Sequence, residues 1–209
     1  NLAAWHGRAG RVEEAIGLRE ALLVDQQRFL DPAHPDTLKN RHNLAALHGG
    51  DGRVDVALGM FEALRVDSLR FLGPDHPATL ICRSNLAIWN GVAGRAEIAI
   101  DLGEALLADQ VRVLGPDHPD TLITRGNLAT FYGDARRFES AIDLLSVLLA
   151  DEQRTLGEDH PDTLATRSKL ASLHGDSGHY EDAIFLLEAL LADQSRILGP
   201  DHPETLCGR

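Results

Sequence analysis

Five of the ten histidines stand in a repeated His-Pro step, at His34, His76, His118, His160 and His202, and four of them follow an aspartate. Two chemistries could use such residues. Imidazole is the commonest metal ligand, and an Asp-His pair is part of a catalytic triad. The spacing speaks against both. Successive copies are 42 residues apart. In stacked helix pairs that places them roughly 10 Å from one another, whereas zinc ligands lie about 2 Å from the metal. No nucleophile motif accompanies the Asp-His pairs, and repeated identical copies indicate architecture. His6, His48 and His174 share a column with Asn90 and Tyr132 and read as packing residues at a helix end. No catalytic residue, metal or cofactor is expected, and the chain reads as something other than an enzyme.

The elements that position these residues follow the same period. Thr-Leu recurs from Thr37-Leu38 to Thr205-Leu206, and Asn-Leu-Ala at residues 1–3, 43–45, 85–87 and 127–129 becomes Lys169-Leu170-Ala171. Ala15, Ala57, Ala99, Ala141 and Ala183 keep the step, as do Asp25, Asp67, Asp109, Asp151 and Asp193. Nothing interrupts the register, so residues 1–209 form one repeat array. Its units run about 1–34, 35–76, 77–118, 119–160 and 161–202, with a partial helix at 203–209. Within a unit Pro35 suits a first helical position, because its missing N–H needs no partner there. A first helix then runs to about His48, with Leu38, Arg41, Leu44, Ala45 and His48 on one face. Gly49 to Gly52 read as the turn. A second helix runs from about Val54 to Leu72, stopped by Gly73 and Pro74. Its apolar stripe in the last unit is Tyr180, Ala183, Ile184, Leu187, Leu190, Leu191, Ile197 and Leu198. Ala45 and Ala57 read as small residues where two helices approach closely. One such pair cannot bury its stripe alone. The expected fold is all-α, a right-handed superhelical solenoid of antiparallel helix pairs.

Composition narrows the function. A net charge of −12 disfavours nucleic acid, which needs clustered cations, and an anionic membrane surface. No apolar run approaches the length of a transmembrane helix. Cys82 and Cys207 lie at different positions in their units, so a disulfide framework is not expected and a reducing cytoplasm fits. The preference for Arg over Lys, with abundant Ala, Gly, Leu and Asp, points to a GC-rich bacterial genome. A chain that starts inside a helical pattern reads as a piece of a longer protein.

Arg41-x2-Leu44-Ala45-x2-His48 followed by Ala57-x3-Phe61 resembles the tetratricopeptide repeat, whose pattern has Trp-x2-Leu-Gly-x2-Tyr and then Ala-x3-Phe over about 34 residues. The longer unit, with Gly-Pro-Asp-His-Pro and Asn-Leu-Ala, is similar to repeats of kinesin light chains and of bacterial proteins carrying NB-ARC signalling ATPases. The chain departs from the pattern in places. Phe61 becomes Arg19, Gly103, Leu145 and Leu187 in the other units, the turn glycine becomes Arg136, and Lys169 breaks the asparagine column. No P-loop occurs in this segment.

The resemblance implies that the first helix of each unit lines a concave groove. Asn43, Asn85 and Asn127, with Lys169 extending them, would form a ladder there. An amide offers both a donor and an acceptor to a peptide backbone. The same asparagines could instead bond neighbouring helices and fix the stacking. Variable positions beside the ladder would set specificity: Lys39 with Ile81, Ile123 and Ala165; His42 with Ser84, Gly126 and Ser168; Ala46 with Ile88, Thr130 and Ser172. Arg41, Arg83, Arg125 and Arg167 are expected to form structural ion pairs with Asp25, Asp67, Asp109 and Asp151. The expected function is a protein- or peptide-binding scaffold, the sensor or docking segment of a bacterial signalling protein. The alternative is a self-assembly module in which copies stack head to tail through uncapped terminal units.

Overall fold

The computed structural model describes residues 10–197 and 199. Among them are nine helices: α1 (Val12–Phe29), α2 (Pro35–Gly50), α3 (Val54–Leu72), α4 (Pro77–Val92), α5 (Ala96–Val113), α6 (Pro119–Asp134), α7 (Phe138–Thr155), α8 (Pro161–Asp176) and α9 (Tyr180–Ile197). The residues group into two compact units, Asn1–Val113 and Leu114–Arg209. Each is an all-α stack of helix pairs, in which a helix packs mainly on the one before it and the one after it in the chain.

Among the described residues the His-Pro step starts every first helix. His34, His76, His118 and His160 are the N-cap residues of α2, α4, α6 and α8, and each ring Nδ1 accepts the N–H two residues on, at 3.1–3.2 Å. That bond satisfies one of the orphan donors of a helix start. It requires the unprotonated nitrogen, with the proton on Nε2. Proline follows at the first helical position. Thr37, Thr79, Thr121 and Thr163 of the Thr-Leu pairs are buried. Thr121 and Thr163 donate to the carbonyls of Gly115 and Gly157 at 2.9 and 2.8 Å.

The first helices run two residues past the expected end, through Gly49 and Gly50 in α2. Gly49 is therefore not a turn residue. Its Cα lies under the ring of Trp89 on α4, where a Cβ would sit 2.4 Å from Cη2 and Cζ2. The turn proper takes a left-handed residue at Gly52, Gly94 and Gly178, and at Arg136, with φ +59°. Turn geometry thus overrides residue preference at Arg136, whose guanidinium lies 5.4 Å from the Phe138 ring centroid.

In the first unit the core joins Leu38, Ala45, Ala57, Phe61, Leu64, Cys82 and Leu86, with Trp89 packed against it. The small pair Ala45 and Ala57 lies inside this cluster. In the second unit Leu122, Ala129, Leu145, Leu148 and Leu170 do the same. Burial pushes the Cys82 thiol up to about 12, and its Sγ lies 3.3 Å from the Phe61 carbonyl oxygen. Cys207 lies outside the described residues.

The expected stripe of α9 is only partly buried. Ala183 and Leu190 are covered, but Tyr180, Ile184, Leu187 and Ile197 are exposed. Leu187 is 41% exposed, whereas its counterparts Phe61 and Leu145 are fully buried between helices. The difference is positional, because α9 is the last described helix. Leu191 is half-buried, and Leu198 lies outside the described residues. No described helix is long and apolar enough to cross a membrane.

Candidate binding clefts

Successive first helices diverge enough to leave clefts floored by the second helix between them. In the first unit a cleft of about 370 Å³ brings together Lys39, His42 and Asn43 of α2, Leu64 and Ser68 of α3, and Ile81 of α4. The His42 ring packs edge-on to Phe61 at 5.4 Å, and burial pushes its pKa down, which keeps it neutral. In the second unit a cleft of about 540 Å³ is lined by Asn127 of α6, Glu152 of α7 and Lys169 of α8, among apolar walls. A smaller one of about 330 Å³ gathers Thr130, Ser168, Lys169 and Ser172.

The residues expected in the groove meet different fates. Asn43 and Asn127 line clefts. Asn85 spends a donor on its own helix, Nδ2 to the Ile81 carbonyl at 2.9 Å. Thr130 and Ser172 likewise donate to carbonyls four residues back, at 3.1 Å. Ser84 and Ile88 are half-buried on α4. Among the described residues no group of three or more His, Cys, Asp or Glu could hold a metal ion.

Comparison with known proteins places this geometry. Family models described as tetratricopeptide repeat match residues 92–151 and 163–204. A solved structure of a kinesin light chain-like protein from Podosopora anserina, built of nearly identical TPR-like repeats, is 30% identical with a TM-score of 0.85. The match covers 93% of this chain and 92% of that one. The chain is a tetratricopeptide repeat protein. BtubC (BKLC) from P. vanneervenii shares the fold at 20% identity and a TM-score of 0.82, over 97% of this chain and 80% of that one. So does a Rap protein solved in complex with competence and sporulation factor, at 8% identity and a TM-score of 0.70, over 92% of this chain and 52% of that one. A comparison with curated protein sequences gave no match.

The charged columns of this tetratricopeptide repeat form a ladder within helix pairs. Arg41, Arg83 and Arg167 each donate from Nη1 to Asp67, Asp109 and Asp193 at 2.7 Å, and Arg125 bonds Asp151. The step from arginine to aspartate is 26 residues, which brings in Asp193. Asp25, also expected in the ladder, is exposed.

A second arginine column joins three of the four rungs to a helix-entry loop. Arg112 holds Asp75 through both Nη atoms, at 3.0 and 2.5 Å, and also reaches Asp109 at 2.9 Å. Arg196 repeats this on Asp159 and Asp193, and Arg154 on Asp117 and Asp151. These partners were missed in the sequence, although Arg28, Arg70, Arg112, Arg154 and Arg196 recur at the 42-residue step. The first unit is a natural control. Its entry loop at residues 31–34 has Ala33 where later loops have aspartate, and the matching Arg70 lies 5.2 Å from the Phe71 ring centroid.

Arg112 and Arg83 hold the Asp109 carboxyl below its usual range, and Arg167 and Arg196 do the same for Asp193. A carboxyl whose folded pKa is depressed contributes stability above its unfolded value, about 3.9 for Asp. That contribution is lost as pH falls through the folded value. Asp109→Asn is therefore expected to lower the thermal midpoint at pH 7, with the gap to wild type closing as pH falls below about 4. Melting curves from pH 2 to 7 test this, and a gap independent of pH would contradict it.

Proposed function

We propose that the clefts between first helices hold an extended peptide or protein segment. The observation that carries this reading is convergence. Asn43 with Lys39 and His42, and Asn127 with Lys169, open into clefts, and most of these positions differ from unit to unit. A backbone-reading amide beside variable neighbours suits a ligand held by its main chain and selected by its side chains. The Rap protein of the same fold, solved with its factor, supports the use of such a scaffold for capture. The setting we propose is the docking or sensor segment of a bacterial signalling protein in the cytoplasm.

The test is selection from a phage library of random dodecapeptides. Chosen peptides are then titrated by fluorescence anisotropy. Asn43→Ala combined with Asn127→Ala is expected to weaken binding about five- to 150-fold, the scale of two lost hydrogen bonds at about 0.5–1.5 kcal/mol each. Helicity by circular dichroism should be unchanged. Unchanged affinity, or no selected peptide at all, would overturn the reading.

A further inference from the structure

We propose that the cleft floored by α7 takes a lysine or arginine side chain of the bound peptide, with its cationic head against Glu152. This rests on the peptide-binding reading and adds a chemical preference to it. Glu152 lies at the floor of the 540 Å³ cleft. It is only 6% exposed, and its Oε2 has no hydrogen-bond partner in the protein. Thr166 bonds the carboxyl group, and burial outweighs that bond in pushing its pKa up. An ionised carboxylate in such a place is costly unless a cation meets it.

The repeat shows that the fold does not require this charge. The same position is Gln26, Ser68, Gln110 and Gln194 in the other units. A second charged departure in this cleft is Lys169, which replaces the column's asparagine. Lys169 and His160 favour the Glu152 charge from a distance, less than burial opposes it, and no salt bridge within 4 Å joins Lys169 to Glu152 among the described residues. Lys169 is exposed at the rim while Glu152 is buried at the floor. Exposed Asp162 also lines the cleft and adds negative charge.

The walls match the rest of such a side chain. Leu122, Ile123, Leu148 and Leu156 surround the floor, and lysine and arginine carry long apolar stems that pack on such surface. Rotation about the terminal torsion of Glu152, which is broad, brings either oxygen to the incoming head. The corresponding cleft of the first unit has Ser68 in this place and Lys39 beside it, so a basic side chain is not expected there.

The experiment selects the same dodecapeptide library on the wild-type chain and on Glu152→Gln, which carries the residue of the neighbouring units and is expected to fold. Wild-type selections should fix lysine or arginine at one position. Glu152→Gln should still select peptides but lose that preference. Replacing the basic residue by norleucine in a selected peptide should weaken wild-type binding tenfold or more and Glu152→Gln binding less than twofold. The norleucine comparison on wild type stands even if the variant misfolds. Selections without a basic position, or an unchanged preference in the variant, would overturn this proposal while leaving the groove reading intact. Failure to select any peptide on either protein would overturn both.

Discussion

Phe61→Ala is expected to destabilise the unit Asn1–Val113 by about 3–5 kcal/mol, the usual cost of emptying a buried aromatic site. Phe61 is completely buried and sits among α2, α3 and α4. Its ring meets the edge of His42 and its carbonyl accepts from Cys82. Truncation therefore opens a void between three helices, each held by its own pair. The repeat itself does not need an aromatic here, since Arg19, Gly103, Leu145 and Leu187 occupy the same position elsewhere. The local space needs one. Arg19 solves the problem differently, through Nη1 to Asn40 Oδ1 at 3.1 Å. In stacked repeats a lesion acts first on its neighbours. Urea unfolding followed by NMR should therefore show residues of the first unit melting early while signals from Leu114–Arg209 keep their wild-type midpoint. A loss below about 1.5 kcal/mol, the cost of a volume-conserving swap, would show that the site is not the packed centre described.

Two adjacent glycines of α2 are expected to respond with opposite signs. A Cβ on Gly49 would enter the Trp89 ring. The ring is rigid and packs against the Phe61 cluster, so it must swing away and expose apolar surface. Overpacking of this kind costs about 1–3 kcal/mol, more than the roughly 0.5–1 kcal/mol an alanine gains over glycine in a helix. Gly49→Ala should thus destabilise. Gly50 has open space around its Cα and no left-handed φ, so Gly50→Ala should stabilise by about 0.4–1 kcal/mol. Trp89→Leu should relieve the Gly49→Ala penalty, because a leucine can yield, as Leu173 stands 3.1 Å from the Cβ position of Gly133. Urea midpoints of the two single variants and of the Gly49→Ala, Trp89→Leu double variant decide it. Two shifts of the same sign would reject the account.

The period made the helix starts at Pro35, Pro77, Pro119 and Pro161 legible before any coordinates, because proline after a cap has one favoured place. The end of the first helix was less legible. Glycine marks a turn and a close approach equally well, and only the Trp89 ring separates Gly49 from Gly52. Columns also hide differences in fate. Asn43, Asn85 and Asn127 look equivalent in sequence, yet Asn85 turns a donor back on Ile81. Rotamer and neighbours decide that, and neither has a period. Glu152 shows the opposite case, an acid with no column of its own. In sequence it is one acid among several on the second helices, and only its burial sets it apart.

The strong helix contacts within each unit join neighbours in the chain, and the ion pairs close spans of 26 and 37 residues. Closure entropy grows only with the logarithm of such spans, so contact order is low and folding is fast for the size of the chain. Any helix pair can serve as the nucleus, and growth proceeds by adding the next pair to a finished edge. During synthesis partners arrive in chain order: the Arg41–Asp67 rung closes once α3 is made and α4 then covers Phe61, so the scaffold can assemble in the order in which it is translated.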